Sequence, residues 1–246
     1  MREKEERMEI LRTMTGRILV ESHRGCHDVA PENSWPALAA GHQMGADLLE
    51  IDVQLSQDGV AFLRHDYTLP DGRWYHTVPW AELQTLTVQG QPFPVLEDVL
   101  IWAKDVDTRL SLDLKSGFMP EGRLHAEVVR LLKRTHTLNR IMLLAWDHVE
   151  LLHTKSAYPE LTTRALVRAR PTDLGGMLRA VGADAVSLSY DLLRPSDVAQ
   201  AHAAGVAVAL VEMWHADFAM AHRLEVDIVS WGNPQEAKQQ LGYAIS

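Results

Sequence analysis

Leu48-Leu49-Glu50-Ile51-Asp52-Val53-Gln54-Leu55 is a mostly apolar run that carries two carboxylates two residues apart. Side chains alternate along a strand, so Glu50 and Asp52 share one face. Apolar residues stand before and after each carboxylate, and the strand candidates as a set are largely unalternated, as in a parallel sheet covered on both faces. Charges in such a setting are costly unless they bind something, so this strand sets both the fold class and the search for a site.

Similar short runs rich in Val, Ile and Leu occur at 18–22, 60–64, 109–114, 140–145, 162–167, 185–189, 206–211 and 227–230. Helical stretches fall between them at 34–44, 124–133, 147–156, 172–181, 195–204, 216–224 and 235–241. Asn33 reads as the N-cap of the first, Gly45 closes it, and Pro195 and Pro234 stand where first-turn prolines belong. Eight of the nine strand candidates can be followed by a helix at a spacing of roughly 30 residues, the pattern of a (β/α)8 TIM barrel. The run at 60–64 follows the turn signal Gln57-Asp58-Gly59 and is either a hairpin arm or a barrel strand. The rival, an open doubly wound sheet, lacks support, because neither G-x-G-x-x-G nor G-x-x-x-x-G-K-[ST] occurs. The expected architecture is α/β: one barrel domain over 16–246 behind a charged leader over 1–15. That leader is either solvated or docked as a short helix through Met8, Ile10 and Leu11.

The chain has 246 residues and a net charge of −9, which argues against a nucleic-acid partner. The single cysteine, Cys26, excludes an internal disulfide and a zinc site built on several cysteines. No apolar run is long enough to span a membrane, and the leader has no signal-peptide core. The expectation is a cytoplasmic protein with a small-molecule ligand and no stable membrane insertion. The oligomeric state is not readable.

In a barrel the working residues sit at the carboxyl ends of the strands. The first strand runs into His23-Arg24, the second carries Glu50 and Asp52, the run at 60–64 ends in His65-Asp66, and the next ends in Asp113-Leu114-Lys115. Glu50, Asp52 and Asp113 are an all-oxygen set that suits Mg²⁺ or Ca²⁺, and three crowded carboxylates need such a counter-charge. Arg24 and Lys115 can meet an anionic substrate, and His23 and His65 can exchange protons near neutral pH. Together these groups are what phosphate diester hydrolysis requires. Singly, each has a structural reading as a salt-bridge partner or a hydrogen-bonded histidine. His42, His125, His136, His153, His202 and His222 fall in helices or at their ends, where a solvated face is expected.

The ordered set His23-Arg24-Gly25, Pro31-Glu32-Asn33-Ser34, Gly45-Ala46-Asp47, Glu50-Ile51-Asp52-Val53, Asp58-Gly59 and His65-Asp66 resembles the glycerophosphodiester phosphodiesterase family. Pro94-Val95-Leu96-Glu97-Asp98-Val99-Leu100 is similar to that family's P-x-L-E-E-V-L helix start, and Ser111-Leu112-Asp113-Leu114-Lys115 to its acidic-x-Lys strand. The resemblance covers nearly everything from 18 to 234. It implies a (β/α)8 barrel, one divalent cation (Mg²⁺ or Ca²⁺, with Mn²⁺ a further candidate), and hydrolysis of a glycerol-3-phosphate diester to glycerol 3-phosphate and an alcohol. Carried over by position, His23 and His65 are the acid/base pair, Glu50, Asp52 and Asp113 the metal ligands, and Arg24 and Lys115 the phosphate contacts. Glu32 and Asn33 support the loop.

Five departures stand out. The third ligand is Asp113 where many members have Glu. The family's Arg-Thr-Thr stretch is missing from Tyr67-Thr68-Leu69-Pro70-Asp71-Gly72, and the capping segment from there to Pro94 is short. The W-T-x-N strand end reads Leu210-Val211-Glu212-Met213-Trp214, and the T-D-x-P close reads Ser230-Trp231-Gly232-Asn233-Pro234. The rim residues Trp74, Tyr75, Trp146, Trp214 and Trp231 are expected to pack, and any that turn inward would suit an apolar or choline-bearing leaving group. Glu212 would then meet a cation or hydroxyls. Other readings are a phosphodiesterase for lysophospholipids or a specialised sugar phosphodiester, and a barrel that binds phosphorylated ligands without turnover. The last would be expected to lack a histidine or a ligand, and none is lost.

Overall fold

The computed structural model describes residues 8–211 and 217–244. Its strands are β1 (Leu19–Ser22), β2 (Leu48–Leu55), β3 (Ala61–Leu63), β4 (Thr87–Val88), β5 (Gln91–Pro92), β6 (Leu110–Leu114), β7 (Ile141–Ala145), β8 (Thr162–Val167), β9 (Ala185–Ser189), β10 (Ala207–Val211) and β11 (Ile228–Trp231). Its helices are α1 (Arg12–Thr15), α2 (Trp35–Gln43), α3 (Trp80–Leu83), α4 (Leu96–Asp105), α5 (Arg123–Thr135), α6 (His148–Ala157), α7 (Leu174–Val181), α8 (Pro195–Ala203), α9 (Phe218–Leu224) and α10 (Pro234–Gln240). Among the described residues, eight strands close a parallel barrel in the order β1, β2, β6, β7, β8, β9, β10, β11, with β11 pairing back onto β1. The run at 60–64 resolves as a hairpin arm: β3 pairs antiparallel with β2, Val53 opposite Leu63.

Strand alternation builds the layers. On β2 the odd residues Leu49, Ile51, Val53 and Leu55 pack outward against Leu38 of α2 and Leu96, Val99 and Leu100 of α4. Each such fully buried side chain contributes about 1.5–3 kcal/mol. The inward residues begin with an apolar floor of Leu19, Leu48, Met142, Ala207 and Ile228. Met8 and Ile10 are buried in this same cluster, and the Arg12 amide donates to Asp227 Oδ1 at 2.6 Å just before β11. Residues 8–15 therefore pack against the amino-terminal end of the barrel. Above the floor, Arg164 of β8 reaches across to Glu21 of β1 through two hydrogen bonds of 2.8 and 3.0 Å.

Residues 64–95, the reduced insertion, carry a small core of their own. Leu69, Tyr75, Val78, Leu83 and Phe93 close over Phe62 of β3. Two local expectations are corrected. Ser34, not Asn33, caps α2, its Oγ accepting from the Ala37 amide at 3.3 Å. Asn33 is drawn away because its amide side chain is engaged by Asp52. His125 is buried rather than solvated, with Nδ1 2.8 Å from Thr154 Oγ1 and Nε2 3.0 Å from Glu150 Oε2, so its ring pins α5 to α6. Helix α4 starts within the segment 94–100 but is not among the helices drawn from periodicity. Among the described residues, no helix is long and apolar enough to cross a membrane.

Candidate active site

The parallel register of β2 and β6 sets Asp52 opposite Asp113 and Glu50 opposite Ser111. Ligand oxygens of Glu50, Asp52 and Asp113 all lie within 4.8 Å of one another, and all three residues are buried, at 5%, 1% and 7% exposure. Burial, then Asp52 and Asp113, drives the Glu50 carboxyl well above its ordinary range. Asp113 is likewise raised, by burial and by Asp52. Asp52 goes the other way: Lys115 and Arg24 outweigh its burial and hold it low. Asp113 Oδ1 is buried with no hydrogen-bond partner among the described residues. An orphaned carboxylate oxygen in an all-oxygen set, with repulsion unrelieved, fits a hard divalent cation. This triad can hold a metal ion.

The cations flank it. Lys115 Nζ lies 2.8 Å from Asp52 Oδ1 and also donates to Asp113; the two carboxylates overcome its burial and raise its pKa. Arg24 sits at φ 52°, so that its amide donates to Glu50 Oε2 at 2.8 Å while its guanidinium reaches Glu32 at 2.6 Å and Asp52 at 3.5 Å. Gly25 follows at φ 71°, and a Cβ there would meet the Ala37 backbone carbon at 2.8 Å. Only glycine lets the loop turn this tightly against α2.

His23 leaves β1 with its amide bonded to the Trp231 carbonyl at 2.9 Å, and its Nε2 lies 3.9 Å from Glu50 Oε2. Its side chain keeps 41% of its surface open. The surrounding protein, and next the Arg24 charge, push the imidazole down to about 4, so it is neutral at pH 7. His65 follows β3, where the Arg64 amide is fixed to the Asp52 carbonyl at 3.0 Å. Its Nδ1 faces Asp66 Oδ1 at 3.2 Å, and it lies within electrostatic reach of Asp52 and Asp113. All seven residues singled out in the sequence thus meet at one end of the barrel.

Three neighbours were undervalued or missed. Asn33, assigned only a supporting part in the loop, is bonded both ways to Asp52: Nδ2 donates to Oδ2 at 2.7 Å and Oδ1 accepts from the Asp52 amide at 2.9 Å. Arg64 spans Glu32 and Asp66, and its place directly before His65 was the available signal. Phe118, an isolated aromatic three residues after Lys115, carries no periodicity and is 72% exposed. Of the rim aromatics, Trp74 lines a cavity beside His65, Tyr75 is buried against Phe62 and Phe93, and Trp146 lies under Arg168. Trp231 donates to Glu236 at 2.8 Å and packs on Phe218. Glu212 and Trp214 lie outside the described residues.

Residues 23–232 match the glycerophosphoryl diester phosphodiesterase family. The chain belongs to this family. Among curated relatives of the family member, YqiK of Bacillus subtilis is 30% identical over 139 residues, 52% of this chain and 57% of the relative. A glycerophosphodiester phosphodiesterase of Caldanaerobacter subterraneus is 26% identical over 155 residues, 58% of this chain and 64% of the relative. These two matches therefore span less than two thirds of either relative's length. In fold, the chain is similar to an Oleispira antarctica phosphodiesterase solved in complex with the product sn-glycerol-3-phosphate, with a TM-score of 0.84, 24% identity and coverage of 93% of this chain and 98% of that one.

Proposed function

We propose that this chain hydrolyses glycerophosphodiesters to glycerol 3-phosphate and an alcohol, with one divalent cation, Mg²⁺ or Ca²⁺ (Mn²⁺ as a third candidate), held by Glu50, Asp52 and Asp113. The observation that carries the reading is the meeting of that buried triad with Arg24, Lys115, His23 and His65, which lie on or just after β1, β2, β3 and β6. The family, and the glycerol 3-phosphate held by the Oleispira antarctica enzyme, support the choice of substrate.

A cation held by Glu50, Asp52 and Asp113 would supply Lewis-acid polarisation of the phosphate diester. Lys115, kept protonated by its two carboxylates, and Arg24 stabilise negative charge that grows on the phosphoryl oxygens. Asn33 holds Asp52 from two sides, so the carboxylate cannot swing when substrate arrives. An attacking oxygen, from water or from the glycerol 2-hydroxyl, forms a new P–O bond as the P–O bond to the leaving alcohol breaks. One proton leaves the nucleophile and one reaches the departing alkoxide, and His23 and His65 flank the triad to carry them. On the 2-hydroxyl route a water then opens the cyclic phosphate to give glycerol 3-phosphate.

The test is glycerol 3-phosphate release from a panel of diesters with Mg²⁺, Ca²⁺ and Mn²⁺ in turn. The wild type is expected to turn over, and His23→Ala and His65→Ala each to lose about 10²–10⁴-fold in kcat. Full activity in the double variant would refute the assignment.

A further inference from the structure

We infer that the leaving-alcohol side of this site is built for an alkyl or acyl chain rather than for a quaternary ammonium head; this rests on the proposed reaction. A cavity of about 650 Å³ opens beside His65, a volume that takes a drug-sized ligand. It is lined by the polar and charged Arg64, His65 and Asp66 and by Tyr67, Leu69, Pro70, Trp74 and Phe118. The lining thus joins charged groups around His65 to a set of aromatic and apolar residues, a make-up that matches an amphiphile.

The arrangement of the rings decides between the two chemistries. A quaternary ammonium is held where several ring faces turn toward one point. Here Trp74 and Phe118 lie 4.5 Å apart at 35°, so each covers a face of the other, and Tyr67 meets Phe118 edge-on at 5.6 Å. The three rings make a wall, not a cage. The one lining carboxylate, Asp66, is engaged by Arg64 and His65 and offers no free charge to a cation. Phe118 also sits at φ 69°, a backbone conformation that a bulky residue rarely adopts, while 72% exposed. Strain of this kind persists where function holds it. A mostly exposed phenyl ring gains little for folding, so a ligand is the surface it awaits.

The experiment compares kcat/KM for a glycerophospho-octanol diester with that for the ethanol diester, using glycerophosphocholine as a third substrate. Burying a methylene is worth roughly a factor of four. A chain lying partly against the wall should therefore favour octyl over ethyl by about 10-fold or more, mostly in KM. Phe118→Ala and Trp74→Ala are expected to cut that ratio about 5-fold or more. Leu152→Ala, an exposed apolar residue of α6 outside the cavity, should leave it in place. Equal rates for octyl and ethyl diesters, or a Phe118→Ala loss confined to glycerophosphocholine, would overturn the proposal. Calorimetric binding of octyl phosphate against ethyl phosphate, in Mg²⁺, decides the point without turnover. Tighter octyl binding that Phe118→Ala abolishes supports the wall, and equal binding refutes it. If no diester is hydrolysed but octyl phosphate still binds tighter, the proposed reaction fails while the apolar subsite stands.

Discussion

Asn33 spends both ends of its amide on Asp52 and leaves the cap of α2 to Ser34. Residues that orient a ligand are typically worth about 10–100-fold in metal affinity. Asn33→Ala is therefore expected to weaken Mg²⁺ binding in that range in a calorimetric titration, together with a modest loss of thermal stability, since alanine is strained at φ 55° even though Ser34 still caps the helix. A variant that melts early but binds the cation normally would make Asn33 a folding residue only. The two histidines can be told apart by leaving group. With a p-nitrophenol ester of glycerol 3-phosphate, whose departure needs no proton, the histidine that acts as acid is the one whose Ala variant regains rate. The other variant stays slow, and equal rescue of both would contradict a division of labour. The seven candidate residues that meet at one end of the barrel were readable from the sequence because each lies on a strand or just after one. The Asn33–Asp52 bond was not, because an Asn before a helix reads equally well as a cap.

At the scale of elements, the loop between β1 and α2 does the most positioning. It places Arg24 at φ 52°, Gly25 at φ 71° and Asn33 at φ 55° within ten residues, 24–33. Gly25→Ala would force a left-handed alanine, a strain of roughly 1–2 kcal/mol, before the contact with Ala37 is counted. In a chain of this size that strain alone lowers the melting temperature by about 2–8 °C. The same change is expected to lower kcat/KM, because the Arg24 amide that holds Glu50 moves with the loop; an unchanged melting point and rate would show the loop to be slack. The strand periods located this loop, and Gly25 hinted at its turn. The insertion was less legible. Its packed aromatics Phe62, Tyr75 and Phe93 come from β3 and from two places far along the loop, and no local pattern links them.

Across the whole molecule, the Glu21–Arg164 pair joins opposite walls of the barrel, with both partners at most 1% exposed and 143 residues apart in sequence. Such separation is invisible to any window along the chain, and a lone Glu in β1 gave no sign of its partner. Burial alone would raise the Glu21 carboxyl, yet Arg164 overrides it and holds the group below its ordinary value of 4.5. The pair's contribution is therefore complete above that ordinary value and is lost as pH falls through the lowered folded value. Denaturant titrations of wild type and of Glu21→Gln/Arg164→Gln, from pH 7 down to about pH 3, should converge as acid removes what the variant already lacks. Parallel curves would contradict this. Arg164→Met alone strands a buried carboxylate and is expected to destabilise by about 3–5 kcal/mol. Pairing it with Glu21→Leu should recover most of that loss.

Everything proposed for the chemistry depends on an ion between Glu50, Asp52 and Asp113. The direct measurement is glycerol 3-phosphate release by chelator-treated protein, followed by titration of Mg²⁺ or Ca²⁺ back into wild type and into Glu50→Gln/Asp113→Asn. Chelation is expected to silence the protein, with recovery at one ion per chain in the wild type and none in the variant. Undiminished release from the stripped protein, or full recovery in the variant, would contradict this.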